Sequence, residues 1–118
     1  MEGKIICWVY THDLEGTCEF YSRALGLTLD RDEGSARIYN VNAGACIGVC
    51  QAFGDRVVQP DGGMISIVTD DVDGWYARLN AAGVSIAQPP HTLEQFGIYT
   101  FFANDPNGYI IEFQQFLD

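Results

Sequence analysis

The chain has 118 residues and carries 6 Lys plus Arg against 16 Asp plus Glu, which gives a formal charge of −10 at pH 7. Apolar residues make up 47% of the sequence and aromatic residues 13%, which is typical of a globular protein and excludes a disordered one. The acid excess argues against nucleic acid and anionic membranes as partners, because both are bound through basic patches, and it favours a cationic small molecule.

The cellular compartment of the protein is inferred from membrane-spanning and signal-peptide patterns and from the cysteines. No run approaches the ~20 apolar residues that span a bilayer, and the N-terminus lacks a signal-peptide pattern, so we expect a cytoplasmic protein. Cys7, Cys18, Cys46 and Cys50 contain no CxxC pair, which favours buried, reduced thiols. A zinc site from Cys46, Cys50 and a histidine is the less favoured alternative, because the pattern around these cysteines is that of a strand.

The first half of the chain is predicted to fold in the order β-α-β-β-β. An apolar run is followed by apolar residues at helical spacing and then by three short strand patterns. The predicted elements are the strands Lys4–Thr11, Leu27–Arg31, Ala36–Val41 and Ala45–Gln51 and a helix between Asp13 and Gly26. Residues Phe53–Gly63, rich in Gly, Asp and Pro, are predicted to be a linker.

The second half repeats this order. The predicted elements are the strands Met64–Thr69, Ser85–Gln88, Gly97–Phe102 and Tyr109–Phe116, a helix between Asp71 and Gly83, and a turn at Asp105–Gly108. We therefore predict one α+β domain over residues 1–118, with a first module at about 1–52, the linker at about 53–63 and a second module at about 64–118.

An internal repeat supports this division. Asp13–Gly16 recurs as Asp71–Gly74, and Ala24–Leu29 recurs as Ala81–Ile86, at offsets of 58 and 57 residues. In both helices the aspartate is a suitable N-cap and a glycine stands at the left-handed position that ends a helix. Both first strands are apolar at nearly every residue, which predicts that both of their faces are covered.

A doubled β-α-β-β-β chain with these motifs resembles the vicinal oxygen chelate superfamily, which includes glyoxalase I, extradiol dioxygenases and bleomycin-resistance proteins. The matching segments are Asp13–Leu27, Asp71–Val84 and Phe96–Phe113, and the most specific piece is DP-x-G-x-x-x-E from Asp105 to Glu112. The resemblance implies two modules that form a curved mixed sheet around a crevice, usually in a homodimer.

Metal-dependent members of that family carry His, Gln or Glu on the first and last strands of each module. The corresponding positions here are Ile6, Met64, a residue near Gly48, and Glu112. Only Glu112 has a side chain of the ligand type, so we expect no metal and no other cofactor. His12 and His91 lie elsewhere and are interpreted as surface or capping residues.

The candidate ligand-binding residues follow from strand alternation and from the resemblance. If Ile6 faces the crevice, then Trp8 and Tyr10 face it too, while Ile5, Cys7 and Val9 pack on the helix. On the last strand, Ile110, Glu112 and Gln114 share one face and Ile111 and Phe113 take the other. The set of candidates is Trp8, Tyr10, Met64, Tyr99, Phe101, Glu112 and Gln114. Trp8 and Tyr10 are equally interpretable as core or dimer-interface residues.

The leading hypothesis is a small-molecule binding protein of the bleomycin-resistance type, with a metal-free, aromatic-lined crevice for a planar or cationic compound. Tyr99 and Phe101 would stack on the cation, and Glu112 would pair with it. The alternative is a glyoxalase-like lyase or isomerase, of the lactoylglutathione-lyase type, with Glu112 as the catalytic base. A structural or regulatory module without a small ligand is the third possibility.

Overall fold

The computed structural model describes all 118 residues. The first half of the chain follows the predicted β-α-β-β-β order, and the second half follows it with one additional short strand. The chain divides into two units, 1–61 and 62–118, which are called the first and second module below. Neither helix is long and apolar enough to cross a membrane. The α+β class predicted from the sequence is confirmed.

The first module has a four-stranded mixed sheet with one helical segment. Its elements are β1 (Ile5–Thr11), α1 (Leu14–Glu19), a π-helical turn (Phe20–Ala24), β2 (Thr28–Asp32), β3 (Ala36–Asn42) and β4 (Ala45–Gln51). The strand order is β1-β4-β3-β2, in which β1 and β4 are parallel and the other pairs antiparallel. Phe53 and Arg56, from the predicted linker, exchange backbone hydrogen bonds in a tight turn after β4.

The second module repeats this topology. Its elements are β5 (Met64–Val68), α2 (Val72–Ala81), β6 (Ser85–Ile86), β7 (His91–Leu93), β8 (Ile98–Asn104) and β9 (Ile110–Phe116). The order is β5-β9-β8-β6, with β5 parallel to β9, and the unpredicted strand β7 also pairs with β8. The last strand of each module is therefore an inner strand, beside the first strand of the same module.

The repeated Asp-x-x-Gly motif caps both helices, as predicted. Asp13 Oδ1 accepts from the backbone N–H of Gly16 at 3.1 Å, and Asp71 Oδ1 accepts from that of Gly74 at 3.0 Å. A Cβ on Gly16 or Gly74 would lie 2.3 or 2.2 Å from Oδ2 of the capping aspartate. The glycine is thus part of the cap, because only a residue without a side chain leaves room for the carboxylate.

Gly74→Ala is expected to lower the free energy of unfolding by about 1–2 kcal/mol, because the added methyl group displaces the Asp71 carboxylate and the cap is lost. Urea unfolding followed by circular dichroism measures the change. Gly63→Ala is the control, since a Cβ there meets nothing within 4 Å. Equal stability of the two variants would show that the cap does not depend on the glycine.

The first helix differs from its prediction at its C-terminal end. The spacing predicts a regular helix up to Gly26, but the α-helix ends at Glu19 and the chain continues as a wider turn, in which the N–H of Leu25 donates to the carbonyl of Phe20 at 3.1 Å. The wider turn places Tyr21 and Leu25 in the core. Gly26 has φ 71°, which confirms the predicted left-handed residue after the helix.

The core of each module lies between its helix and one face of its sheet. In the second module Phe113 stacks on Trp75 with ring centroids 4.7 Å apart and on Phe101 at 5.1 Å. Tyr76 of α2 meets Phe101 edge to face. Trp75, Tyr76 and the two strand aromatics therefore join α2 to β8 and β9.

The prediction that both faces of β1 and β5 are covered is wrong. Ile5 is 71% exposed, Met64 55% and Val68 60%. Of the residues expected to pack on the first helix, Val9 is buried but Ile5 and Cys7 are exposed. Both strands form an edge of their sheet, and the short helices cover only part of them, so a continuous apolar run here does not mean double coverage.

Candidate functional site

The sheet of the second module has one face turned away from α2, and this open face carries a cavity of about 440 Å³. Its volume is in the range of small-molecule sites. The lining side chains come from β5, β7, β8, β9 and the turn before β8, and most are apolar. They are Met64, Ser66, Leu93, Phe96, Ile98, Phe102, Glu112, Gln114 and Phe116.

Glu112 is the one charged residue that lines this cavity, and it is only 3% exposed. It lies in the middle of the inner strand β9, opposite Ser66 on β5 and Phe102 on β8. Ser66 Oγ donates to Oε1 at 2.6 Å, and Thr100 Oγ1 donates to Oε2 at 2.8 Å. The two hydroxyl groups hold the carboxylate on the open face from both sides.

This arrangement leaves Glu112 able to bind a further donor. A carboxylate has about four lone-pair sites, and the two hydroxyl groups occupy two of them. None of the ion pairs in the structure includes Glu112. Burial of a carboxylate without a cationic partner costs free energy. A ligand cation or N–H donor that contacts Glu112 would therefore stabilise its negative charge.

The structure brings three of the predicted residues together. Met64, Glu112 and Gln114 all line the cavity. The family resemblance assigns Met64 and Glu112 to the crevice, and strand alternation places Gln114 on the same face as Glu112. Ile111 and Phe113 lie on the opposite, helix-covered face and are fully buried. The partition of β9 between its two faces agrees with the sequence-based expectation.

Tyr99 and Phe101 are not part of this face, which corrects the expectation that they stack on a ligand beside Glu112. Phe101 is fully buried against Phe113, and the Tyr99 hydroxyl donates to Asp73 of α2. That hydrogen bond raises the pKa of Tyr99. In β8 the even-numbered residues face the cavity instead, because Phe102 is the residue opposite Glu112.

Trp8 and Tyr10 lie on the corresponding open face of the first module. Trp8 is 37% exposed and is paired in register with Gly48 of β4. The Tyr10 hydroxyl accepts from Nη1 of Arg56 at 3.3 Å, and this hydrogen bond raises the pKa of the guanidinium group. Of the seven candidate residues, these two belong to the first module and the other five to the second.

The positions that the family resemblance assigns to metal ligands do not form a donor set for a divalent cation. Ile6, Met64 and Gly48 have no ligand atoms in their side chains that suit a hard cation, and both oxygens of Glu112 accept from hydroxyl groups. No group of three or more His, Cys, Asp or Glu side chains is arranged to hold a metal ion. The residues present therefore do not fit a metal centre.

The residues of the less favoured zinc alternative have other contacts. Cys46 Sγ donates to Asn40 Oδ1 at 3.5 Å, and Cys50 Sγ donates to the carbonyl of Gln51 at 3.4 Å. His91 Nδ1 lies 3.0 Å from the carbonyl of Pro89 in an exposed contact, in agreement with a surface role. All four cysteines are free thiols, but Cys7 is exposed, against the expectation that the cysteines are buried.

A family model described as the Glyoxalase/Bleomycin resistance protein/Dioxygenase superfamily matches residues 5–113. A glyoxalase/bleomycin resistance protein/dioxygenase from Nocardioides is a similar solved structure, with 22% identity, TM-score 0.78, and coverage of 97% of this chain and 83% of that one. The protein of the same description from Alicyclobacillus acidocaldarius has 20% identity, TM-score 0.80, and coverage of 99% and 93%. Lactoylglutathione lyase from Agrobacterium tumefaciens has 20% identity, TM-score 0.76, and coverage of 98% and 94%. No curated protein matches the sequence significantly.

Proposed function

Because the chain belongs to the glyoxalase/bleomycin resistance protein/dioxygenase superfamily, we propose that it binds a small planar or cationic molecule in the cavity of the second module, without a metal ion. The observation that carries this proposal is Glu112, a buried carboxylate held by two hydroxyl groups in an otherwise apolar cavity. The proposed assembly is a homodimer in the cytoplasm.

The chemistry of the cavity supports a cation with an aromatic or other flat body. Glu112 would supply the ionic contact, which is stronger in an apolar surrounding than in water. Phe96, Phe102 and Phe116 would supply flat apolar surface and aromatic faces for a cation. The net charge of −10 would also raise the local concentration of cations and speed their association.

The test compares two flat probes that differ in charge. At mildly alkaline pH 9-aminoacridine is a cation and acridine is neutral, and fluorescence titration of both measures the contribution of charge. We expect the cation to bind about tenfold more tightly, which corresponds to about 1.4 kcal/mol, and Glu112→Gln to remove this difference. The substitution keeps the side-chain shape and an acceptor oxygen.

The control is Glu2→Gln, which changes the net charge equally at a residue far along the chain from the cavity. It should leave the preference for the cation intact. Equal binding of both acridines by the unaltered protein would overturn the proposal of an anionic anchor, and so would an undiminished preference in Glu112→Gln.

A glyoxalase-like lyase or isomerase is the second candidate function, and the same carboxylate favours it. A buried glutamate fixed by two hydroxyl groups is also suited to remove a proton from a bound substrate as a general base. The polarising groups would then be hydrogen-bond donors instead of a metal. S-lactoylglutathione formation from glutathione and methylglyoxal tests this activity: turnover that disappears in Glu112→Gln supports it, and turnover that is fully retained eliminates Glu112 as the base.

A further inference from the structure

We propose that the cavity of the second module selects a forked cation, which is a planar group with two N–H bonds on one edge, such as an amidinium or guanidinium group, on a flat aromatic body. This inference rests on the proposed function, because it concerns the same site at Glu112. It adds the class of cation that binds there and the direction in which the rest of the ligand extends.

Each oxygen of the Glu112 carboxylate keeps one unoccupied lone-pair site. The strand β9 lies between β5 and β8, and one hydroxyl group reaches the carboxylate from each of these neighbours. Ser66 of β5 donates to Oε1 at 2.6 Å, and Thr100 of β8 donates to Oε2 at 2.8 Å. A carboxylate oxygen has about two lone-pair sites, so one remains on each oxygen. Two N–H donors held side by side can therefore occupy both remaining sites at once.

The lining of the cavity contains no protein cation that would take these two sites. No Lys or Arg belongs to it, and Glu112 is its one charged residue. Gln114 is the one other lining side chain with N–H bonds, and neither of the hydrogen bonds to the carboxylate comes from it. With Glu112 only 3% exposed, water has little access to the remaining sites. A ligand is the suitable source of both donors.

The chemistry of cations distinguishes which of them suits this arrangement. A planar N–C–N group pairs with a carboxylate through two parallel N–H bonds, one to each oxygen. Its charge is delocalised and weakly hydrated, so it loses less hydration in an apolar cavity than an ammonium group does. The N–H bonds of a primary ammonium group diverge, and a quaternary ammonium group has none. The forked cation therefore gains most from Glu112.

The apolar lining gives the direction of the ligand body. Phe116 follows Glu112 by four residues on the same strand face, at a rise of about 13 Å. It lies opposite Ile98 of β8, which in turn lies opposite Leu93 of β7, and Phe96 is in the turn between these two strands. All four of these residues line the cavity. An aromatic body would therefore extend from the carboxylate toward Phe116.

The test uses four probes with the same naphthalene ring, compared by isothermal titration calorimetry at neutral pH. Naphthalene-2-carboxamidine is a forked cation, 2-naphthylmethylamine is a primary ammonium ion, its N-trimethyl derivative is a cation without N–H bonds, and naphthalene-2-carboxamide is neutral. We expect the amidine to bind about tenfold more tightly than the primary ammonium ion, as one further charge-assisted hydrogen bond predicts. The trimethyl derivative should be the weakest of the three cations.

The two hydroxyl groups supply variants that act on the fork. Ser66→Ala removes the donor to Oε1 and leaves the carboxylate free to turn, so the preference for the amidine over the primary ammonium ion should fall several-fold. Ser85→Ala is the control, because Ser85 is an exposed serine of the same module that does not line the cavity. Glu112→Gln places an N–H donor against one arm of the fork and should remove the preference.

The direction of the body is tested with amidines of different length. Phe116→Ala should weaken the binding of biphenyl-4-carboxamidine about tenfold, because the second ring loses an aromatic contact. It should leave benzamidine unchanged, because a single ring at Glu112 does not reach Phe116. Leu117→Ala is the control, since Leu117 is the next residue and is 51% exposed but does not line the cavity. An equal loss for both amidines would overturn the proposed direction.

The four naphthalene probes also separate failure of this inference from failure of the proposed function. Equal affinities of the three cations, all above that of the neutral amide, would overturn selection of a forked cation and leave the anionic anchor at Glu112 in place. Cations that bind no better than the neutral amide, or not at all at millimolar concentration, would overturn both. 9-Aminoacridine has its ring N–H and its amino group at opposite edges, so it reports the charge alone.

Discussion

Phe113→Ala is expected to lower the free energy of unfolding by about 3–5 kcal/mol, the largest loss from any single substitution considered for this protein. Phe113 is fully buried on the helix-covered face of the second module. Its ring stacks on Trp75 at 29° between the planes and on Phe101 at 13°. Truncation removes the central ring of a three-ring stack and leaves a cavity that the rigid sheet cannot close.

Urea unfolding monitored by circular dichroism and by tryptophan fluorescence measures this loss, and Trp75 reports it directly. Phe116→Ala is the matched control, because Phe116 lies on the same strand but is 56% exposed. It should cost less than about 1 kcal/mol. Losses of similar size for the two variants would mean that the stack does not stabilise the second module.

Local backbone chemistry makes the N-terminus of each helix and the left-handed glycine that follows each helical segment predictable. Asp13 and Asp71 cap the helices because their carboxylates accept from the N–H three residues later, and Gly26 and Gly83 take the left-handed backbone that ends a helix. These contacts lie within a few residues of one another along the chain. A sequence pattern therefore contains nearly all the information that determines them.

The sequence does not determine as clearly which residues of β8 face the cavity. For that reason the prediction places Tyr99 and Phe101 on the wrong face of the sheet. The predicted strand ends at Phe102, which leaves its register with the next strand undefined. In the structure Asp105 Oδ1 accepts from the N–H groups of Asn107 and Tyr109, and this turn sets Asn104 opposite Ile110. Counting back along both strands from the turn places Phe102 opposite Glu112, which identifies the face of β8 that lines the cavity.

The partners of Glu112 depend on contacts between segments that are distant in sequence. Thr100 is 12 residues from Glu112 and Ser66 is 46 residues from it. Neither hydroxyl group belongs to a recognisable motif, and the pairing of β5 with β9 is needed to place Ser66. The same holds for the pairing of Trp8 with Gly48, which exists only because β1 is parallel to β4. Strand pairing, which local pattern does not specify, therefore completes the surroundings of Glu112 and of Trp8.

Thr100→Val is expected to lower the free energy of unfolding by about 1–3 kcal/mol, because it leaves buried acceptors without their donor. The Thr100 side chain is fully buried, and its hydroxyl group lies 2.8 Å from Oε2 of Glu112 and 3.0 Å from the carbonyl of Phe113. Valine has nearly the same shape, so the change isolates the hydrogen bond from packing. Urea unfolding at neutral pH without added ligand is the measurement.

Ser66→Ala is the matched control for Thr100→Val, since Ser66 donates to the other oxygen of the same carboxylate but is itself exposed. Water can replace the serine hydroxyl, so its loss should cost less than about 1 kcal/mol. A double-mutant cycle with Glu112→Gln then tests whether the cost of Thr100→Val acts through the charge. Charge-assisted hydrogen bonds are roughly twice as strong as neutral ones, so Thr100→Val should cost less when Glu112→Gln is already present. Strict additivity would assign the cost to the carbonyl of Phe113 instead and would remove Thr100 from the groups that position Glu112.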